Sequence, residues 1–263
     1  MRRLRIWLCI LLLGYLTNIP NSFAGEITPI PSLNDLLNAA RTYFSEKNNS
    51  ITLEEALFKI KKFYYQNQYL AQKLEILNEV KGHFEKAASK AEEKFDEGEE
   101  DISQSDITKL KLGLAGTLND IYEVETDLQI SRLSLSDSLD NKYSPNAELV
   151  ESDISPINFE FNNFDAWEEN IGEPLGKLTR GLVLKKNFLQ VIEAKKKMQL
   201  ARKNRKMTRA LLVSEVANYD FGIGDSGDLF QALIIYTRVL NGYYDSVYNF
   251  NLLVAKFDRD TKM

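Results

Sequence analysis

Apolar residues recur at helical intervals over four long stretches of this chain, with polar breaks between them. After the polar break at Lys47-Asn48-Asn49-Ser50, the first stretch runs through Leu57, Ile60, Tyr64, Leu70, Leu74, Leu77, Val80 and Phe84. No proline interrupts it before about residue 95, so it reads as a rod of about 65 Å at 1.5 Å per residue. Thr52 with Glu55 three residues on has the form of a capping box and marks its expected start. The second stretch follows with Ile107, Leu110, Leu114, Leu118, Ile121, Leu128, Leu135 and Leu139, and Asn141 and Pro145 are expected to end it.

A third stretch starts near Leu182 and rises through Leu184, Phe188, Ile192 and Met198 to Val216. The fourth has the cleanest period in the chain. Leu229, Leu233, Tyr236, Leu240, Tyr243, Val247, Phe250, Val254 and Phe257 alternate steps of four and three. A 3.5-residue period imposes left-handed supercoiling on whatever packs against it. Phe230, Ile234, Tyr244, Tyr248 and Leu252 flank that stripe and widen it beyond a two-stranded seam. This helix is therefore expected to touch more than one neighbour, either the other hairpin or another subunit.

Two regions are less regular. Residues 25–50 hold Pro29, Pro31 and a short helix expected over 33–44. In 144–180, Ile157, Phe159 and Phe161 alternate with polar residues as in a short strand, and 164–170 reads as a short helix ended by Gly172, Pro174 and Gly176. The organisation expected is residues 1–24 as a signal peptide, 25–50 an N-terminal segment, 51–143 a first hairpin, 144–181 a linker and 182–263 a second hairpin.

The two hairpins share a pattern. Phe95-Asp96-Glu97-Gly98, then Asp106-Ile107, then Leu118-Asn119-Asp120-Ile121-Tyr122 is matched by Tyr219-Asp220-Phe221-Gly222, Asp228-Leu229 and Leu240-Asn241-Gly242-Tyr243-Tyr244. The fold expected is all-α, two long antiparallel hairpins of a coiled-coil bundle related by internal duplication, with at most a short β segment near Phe159. Glycine ends a helix at positive φ without a Cβ penalty, and an aspartate accepts N–H bonds at the next helix start. That accounts structurally for Gly98, Asp106, Gly222 and Asp228, the two aspartates being read as N-caps.

Arg2, Arg3 and Arg5, the apolar run from Ile6 to Leu16 and Ser22-Phe23-Ala24 have the three parts of a signal peptide. The apolar run is shorter than the ~20 residues that cross a bilayer. Cys9, the one cysteine, lies inside it, so neither a disulfide nor a thiolate metal site is expected afterwards. The whole chain carries 33 Lys+Arg against 38 Asp+Glu. Losing three arginines makes it more acidic still, which gives no bulk electrostatic reason to bind nucleic acid.

The basic run Lys195-Lys196-Lys197 with Arg202, Lys203, Arg205, Lys206 and Arg209 reads as a solvated face paired with the acidic region 92–101. Tyr236, Tyr243, Tyr244 and Tyr248 read as packing residues with hydroxyls at the rim. His83 is the only histidine, and no triad, phosphate loop or zinc-binding helix motif is present. A non-enzyme without cofactor is expected.

At the second corner the chain resembles the TolC-type outer-membrane efflux family. The residues that carry the resemblance are Asn218 to Asp225 (Asn-Tyr-Asp-Phe-Gly-Ile-Gly-Asp), Asp228 to Ala232, and Tyr243 to Asn251 (Tyr-Tyr-Asp-Ser-Val-Tyr-Asn-Phe-Asn). Glu92 to Gly98 and Ser105 to Leu112 look like the corresponding corner of a first repeat. The resemblance implies a homo-trimeric periplasmic tunnel that passes substrate between periplasm and exterior. An inner-membrane pump supplies the energy through an adaptor protein. It also implies docking at the corners, at Gly98, Asp101, Asp106, Gly222, Gly224, Asp225 and Asp228.

Membrane-spanning strands need ~9–11 alternating residues, and neither 25–50 nor 144–180 holds two of them. A shortened relative without barrel strands is therefore expected. A periplasmic coiled-coil binding or adaptor rod, and behind it a periplasmic chaperone, remain as alternatives.

Overall fold

The computed structural model describes residues 28–46, 50–98, 102–171 and 178–262; the expected signal peptide lies outside them. Six helices account for most of the described chain. They are α1 (Leu33–Glu46), α2 (Ser50–Asp96), α3 (Gln104–Ser138), α4 (Phe164–Ile171), α5 (Leu178–Phe221) and α6 (Ser226–Lys262). The four long ones form antiparallel pairs, α2 with α3 and α5 with α6. The two pairs join mainly through α2 and α6, with a lighter contact of α3 on α6. The long helices therefore stand side by side in the order α3, α2, α6, α5. The two outermost do not meet.

The width of the apolar face on α6 explains its central place. Leu229, Leu233, Tyr236, Leu240, Val247, Phe250 and Phe257 are all buried, on α5 along one flank and on α2 along the other. Each fully buried side chain of that size contributes roughly 1.5–3 kcal/mol. A smaller seam of Leu70, Leu77, Ile121, Val124 and Leu128 joins α2 to α3. Near the corners α3 can come close because Gly113 lacks a side chain. A Cβ there would stand 2.6 Å from the Phe84 ring and 3.0 Å from Phe230.

The segment expected to contain a strand has no strand partner. Among the described residues the only β pairing is an isolated parallel bridge, Ile30 with Leu149. Residues 149–161 instead run as an extended strap across the row. The Gln68 amide donates to the Glu151 carbonyl (2.8 Å) from α2. Asn251 of α6, fully buried, donates to the Ser155 carbonyl (2.8 Å) and accepts the Ile157 N–H (3.0 Å). Lys195 of α5 donates to the Phe159 carbonyl (2.7 Å).

The alternation of Ile157, Phe159 and Phe161 is thus an extended-chain signal. Three backbone groups along it, the Ser155 and Phe159 carbonyls and the Ile157 N–H, are bonded by helix side chains rather than by a neighbouring strand. The strap crosses α2, α6 and α5 in the same order as the helices stand. It leads into α4, where Phe164 and Trp167 close an aromatic cluster with Phe159, Phe188 and Phe257; the Trp167 and Phe257 rings lie 4.5 Å apart.

Two boundary expectations and one pairing expectation need correction. Thr52 is not a cap, because α2 is already helical at Ser50. α5 begins at Leu178, ahead of the start expected near Leu182. Among the described residues the basic run of α5 makes no ion pair with the acidic region, where Glu92 pairs with Lys111 of α3. Lys195 serves the strap, Lys197 pairs with Glu193 (2.6 Å), and Arg205 lies over the rings of Tyr243 and Tyr244. The end of α3 follows expectation: the helix stops at Ser138, and Asp140 and Asn141 have positive φ (53° and 56°).

Candidate docking site at the hairpin corners

Both corners are built from the same two parts, a glycine that stops one helix and a side-chain cap that starts the next. Gly98 and Gly222 have φ of +82° and +74°, the left-handed region that glycine enters without a Cβ clash. At the second corner the Gly222 N–H donates to the Tyr219 carbonyl (3.2 Å) and the Ile223 N–H to the Asn218 carbonyl (3.0 Å). These are the paired bonds of a Schellman ending. At the first corner the Gly98 N–H donates to Phe95 in the same way (3.1 Å). Gly224 is needed for closeness: a Cβ there would sit 2.8 Å from Asn218 Cβ and 3.2 Å from its backbone.

The caps are not the residues expected. Ser103, with extended φ and ψ of −102° and 157°, caps α3 and accepts the Asp106 N–H (3.3 Å). Asp106 stands inside the first turn and returns the bond by accepting the Ser103 N–H (3.2 Å). Likewise Asp225 accepts the Asp228 N–H (2.8 Å), so Asp225 caps α6 and Asp228 is the third residue within it. A cap reaches an N–H two or three residues ahead, and the two aspartates supply that N–H. The Ser103 hydroxyl, helped by Lys109, holds the Asp106 carboxyl below the ordinary carboxylate range.

Gly222, Gly224, Asp225 and Asp228 line one polar cleft of about 420 Å³ with Lys94 and Ile102 of the first hairpin. Gly98 and Asp106 do not line it, and Asp101 lies outside the described residues. Ile223 also lines the cleft and is 78% exposed, and Phe221, 81% exposed, stands next to the Gly222 turn, with Phe95 partly exposed on the other corner. The site thus offers carboxylates and protruding apolar side chains on a short, hydrogen-bonded turn.

What ties one corner to the other was not visible in the motifs. Lys90 of α2 donates to the carbonyls of Tyr219 (3.0 Å) and Asp220 (2.9 Å), the last turn of α5. A cation there meets the negative end of the helix dipole. Lys86 pairs with Asp220 (2.7 Å), and the buried Tyr219 hydroxyl donates to the Ala87 carbonyl (3.1 Å). Burial, with Asp220 nearby, raises the Tyr219 phenol above its ordinary value. Ser103-Gln104-Ser105-Asp106 did carry a legible signal, since Ser-x-x-Asp before an apolar run is capping-box spacing. Lys86 and Lys90 carry none, because only the folded row brings them to α5.

The described helices define a class of architecture, two antiparallel coiled-coil hairpins laid side by side as an open layer. That architecture is shared with the solved outer-membrane channel OprN. The two superpose with a TM-score of 0.62 over 87% of this chain and 69% of that one, at 9% sequence identity. At that identity the likeness is one of fold. No protein-family model and no curated protein matches the sequence. Among the described residues no helix is long and apolar enough to cross a membrane.

Proposed function

We propose that this protein is a non-catalytic wall component of an export or efflux conduit in the cell envelope, assembled as a homo-trimer. Its corners engage a periplasmic adaptor that links it to an inner-membrane pump. The observation that carries this reading is the open row of long antiparallel helices, whose arrangement is that of an outer-membrane channel over most of the chain. A layer with two uncovered edges suits a tube assembled from copies better than it suits a free-standing bundle. The exposed Phe221 and Ile223, next to Asp225 and the Gly222 turn, are the surface an adaptor would grip.

Cell fractionation tests it. The protein should sediment with outer membranes and need detergent for release, and adaptor capture should fail after Gly222→Pro or Asp225→Lys. Release by osmotic shock alone would overturn the conduit. A second reading, a periplasmic coiled-coil adaptor rod, is favoured by the strap of 149–161, which occupies a region where a conduit would place barrel strands. Osmotic-shock release with adaptor-type pull-downs intact would select it.

A further inference from the structure

A second cleft, of about 240 Å³, opens in the first hairpin where the chain beyond α3 turns into the strap. α2 supplies Asn67, Gln68 and Ala71 to its wall and α3 supplies Leu128 and Arg132, while residues 147–149 with Ser152 close the third side. Roughly 30 residues of α2, about 45 Å at 1.5 Å per residue, separate it from the hairpin corner.

The charged groups in this cleft are opposite in sign and unpaired. Arg132, half-buried, and Glu148, exposed, both line it. Among the described residues neither has an ion-pair partner, and they do not pair with each other. Glu151, the next acid along, accepts the Tyr64 hydroxyl instead (3.4 Å). Glu148 stands on pinned backbone: its carbonyl accepts the Ile30 N–H (2.8 Å), and the Val150 N–H donates to the Ile30 carbonyl (2.9 Å). A guanidinium and a carboxylate held apart in one cleft leave a gap that a molecule carrying both charges completes.

Two buried amides define the rest of the gap, those of Asn67 and Gln68. The Asn67 NH2 donates to the Phe63 carbonyl (2.8 Å) and the Ser131 hydroxyl (3.0 Å), and the Gln68 NH2 donates to the Glu151 carbonyl (2.8 Å). A carbonyl only accepts, so these bonds fix which end of each amide is nitrogen. Both amide oxygens are left without a donor among the described residues, on side chains that line the cleft. An amide oxygen on a buried residue calls for one. An ammonium has three donors and no acceptor, which matches Glu148 and the two oxygens. A carboxylate takes the Arg132 fork in two parallel bonds. Ala71, Leu128 and Leu149 are the apolar part of the wall, and the short alanine leaves room for a side chain.

We propose that this cleft binds a free α-amino acid with a small or medium apolar side chain, its carboxylate on Arg132 and its ammonium among Glu148, Asn67 and Gln68. Bound there, it joins α2, α3 and the start of the strap. The site lies within one copy and stands whether or not copies assemble.

Calorimetry on the full-length chain tests it with L-alanine, L-valine and L-leucine, each against the same carbon skeleton lacking one charge. For leucine these are 4-methylpentanoate and 3-methylbutylamine. At least one of the amino acids should bind with a Kd of about 1 mM or tighter and raise the melting temperature. Removing either charge from the ligand should weaken binding roughly ten- to a hundredfold. Arg132→Gln and Glu148→Gln should do the same from the protein side, and Glu148→Gln should bring the amino acid down to the level of its deaminated analogue. Ala71→Leu, which touches neither charge, should block the cleft, and the melt of the empty variant reports that it is folded. No heat and no shift with any of the three at about 10 mM would overturn the site. So would equal binding of a single-charge analogue to the parent, and so would binding unmoved by Arg132→Gln and Glu148→Gln.

Discussion

The central helices α2 and α6 and the edge helices α3 and α5 were built by the same rules and meet different fates. α6 is apolar over a wide arc and has a neighbour on each flank. α3 and α5 each have one full apolar seam, and on the opposite face a second stripe diluted with charge. A helix apolar on both sides must be buried on both sides or repeat its burial between molecules. The difference between centre and edge separates residues that hold one copy together from residues available to join copies.

The largest expected effect comes from breaking the centre. Phe84, fully buried where α2, α3 and α6 meet, should cost about 3–5 kcal/mol when cut to alanine. Leu200→Ser on the α5 edge should change the stability of a single copy by less than ~0.5 kcal/mol. Urea denaturation of dilute protein compares the two, and equal losses would erase the distinction between centre and edge.

The strap gives a smaller effect. Asn251→Ala removes the amide that pairs with Ser155 and Ile157 and strands two backbone groups. About 1–3 kcal/mol should be lost, and the Ile157 amide should exchange with solvent faster while α2 amides hold. Gly222→Ala, at φ +74°, should cost about 1–2 kcal/mol. Ser103→Ala should cost about 1 kcal/mol at the other corner, read from thermal melts.

The smallest effect is on pH dependence. Burial raises the phenols of Tyr64, Tyr65, Tyr69 and Tyr236, joined by the neighbouring carboxylates Glu151, Asp258, Asp245 and Glu79; Tyr65 is pushed up to about 12. The folded chain therefore keeps these protons at pH values where the unfolded chain has lost them. Their contribution is whole below about pH 10, the ordinary tyrosine value, and falls as pH rises toward the folded values. Tyr69→Phe should flatten that alkaline loss in a melting series from pH 9 upward on a roughly unit-spaced scale. An unchanged slope would remove Tyr69 from the set.

Much of the fold was legible because helical periodicity is local. The four long helices, the short ones at either end of the first hairpin and the strap, and both glycine corners stand where apolar spacing and turn residues put them. The caps were missed by three residues, since Ser103 and Asp225 were passed over for the aspartates whose N–H groups they hold. The strap carries a strand-like pattern because alternation reports extended backbone and says nothing of its partners, which here are the helix side chains Gln68, Asn251 and Lys195. The links from Lys86 and Lys90 to α5 join residues about 130 apart in the chain, and no spacing rule reaches across that distance.

The side-by-side order, with α3 and α5 at opposite edges, is the claim on which the conduit depends. It is tested most directly by placing cysteines at Ile130 and Leu200, exposed on those two edges, in a chain whose Cys9 is serine, and adding a short bismaleimide to the folded protein. Covalent dimers and larger species that vanish when either cysteine is omitted are expected. A link formed within single chains would put the edge helices in contact, close the row into a bundle, and contradict the account.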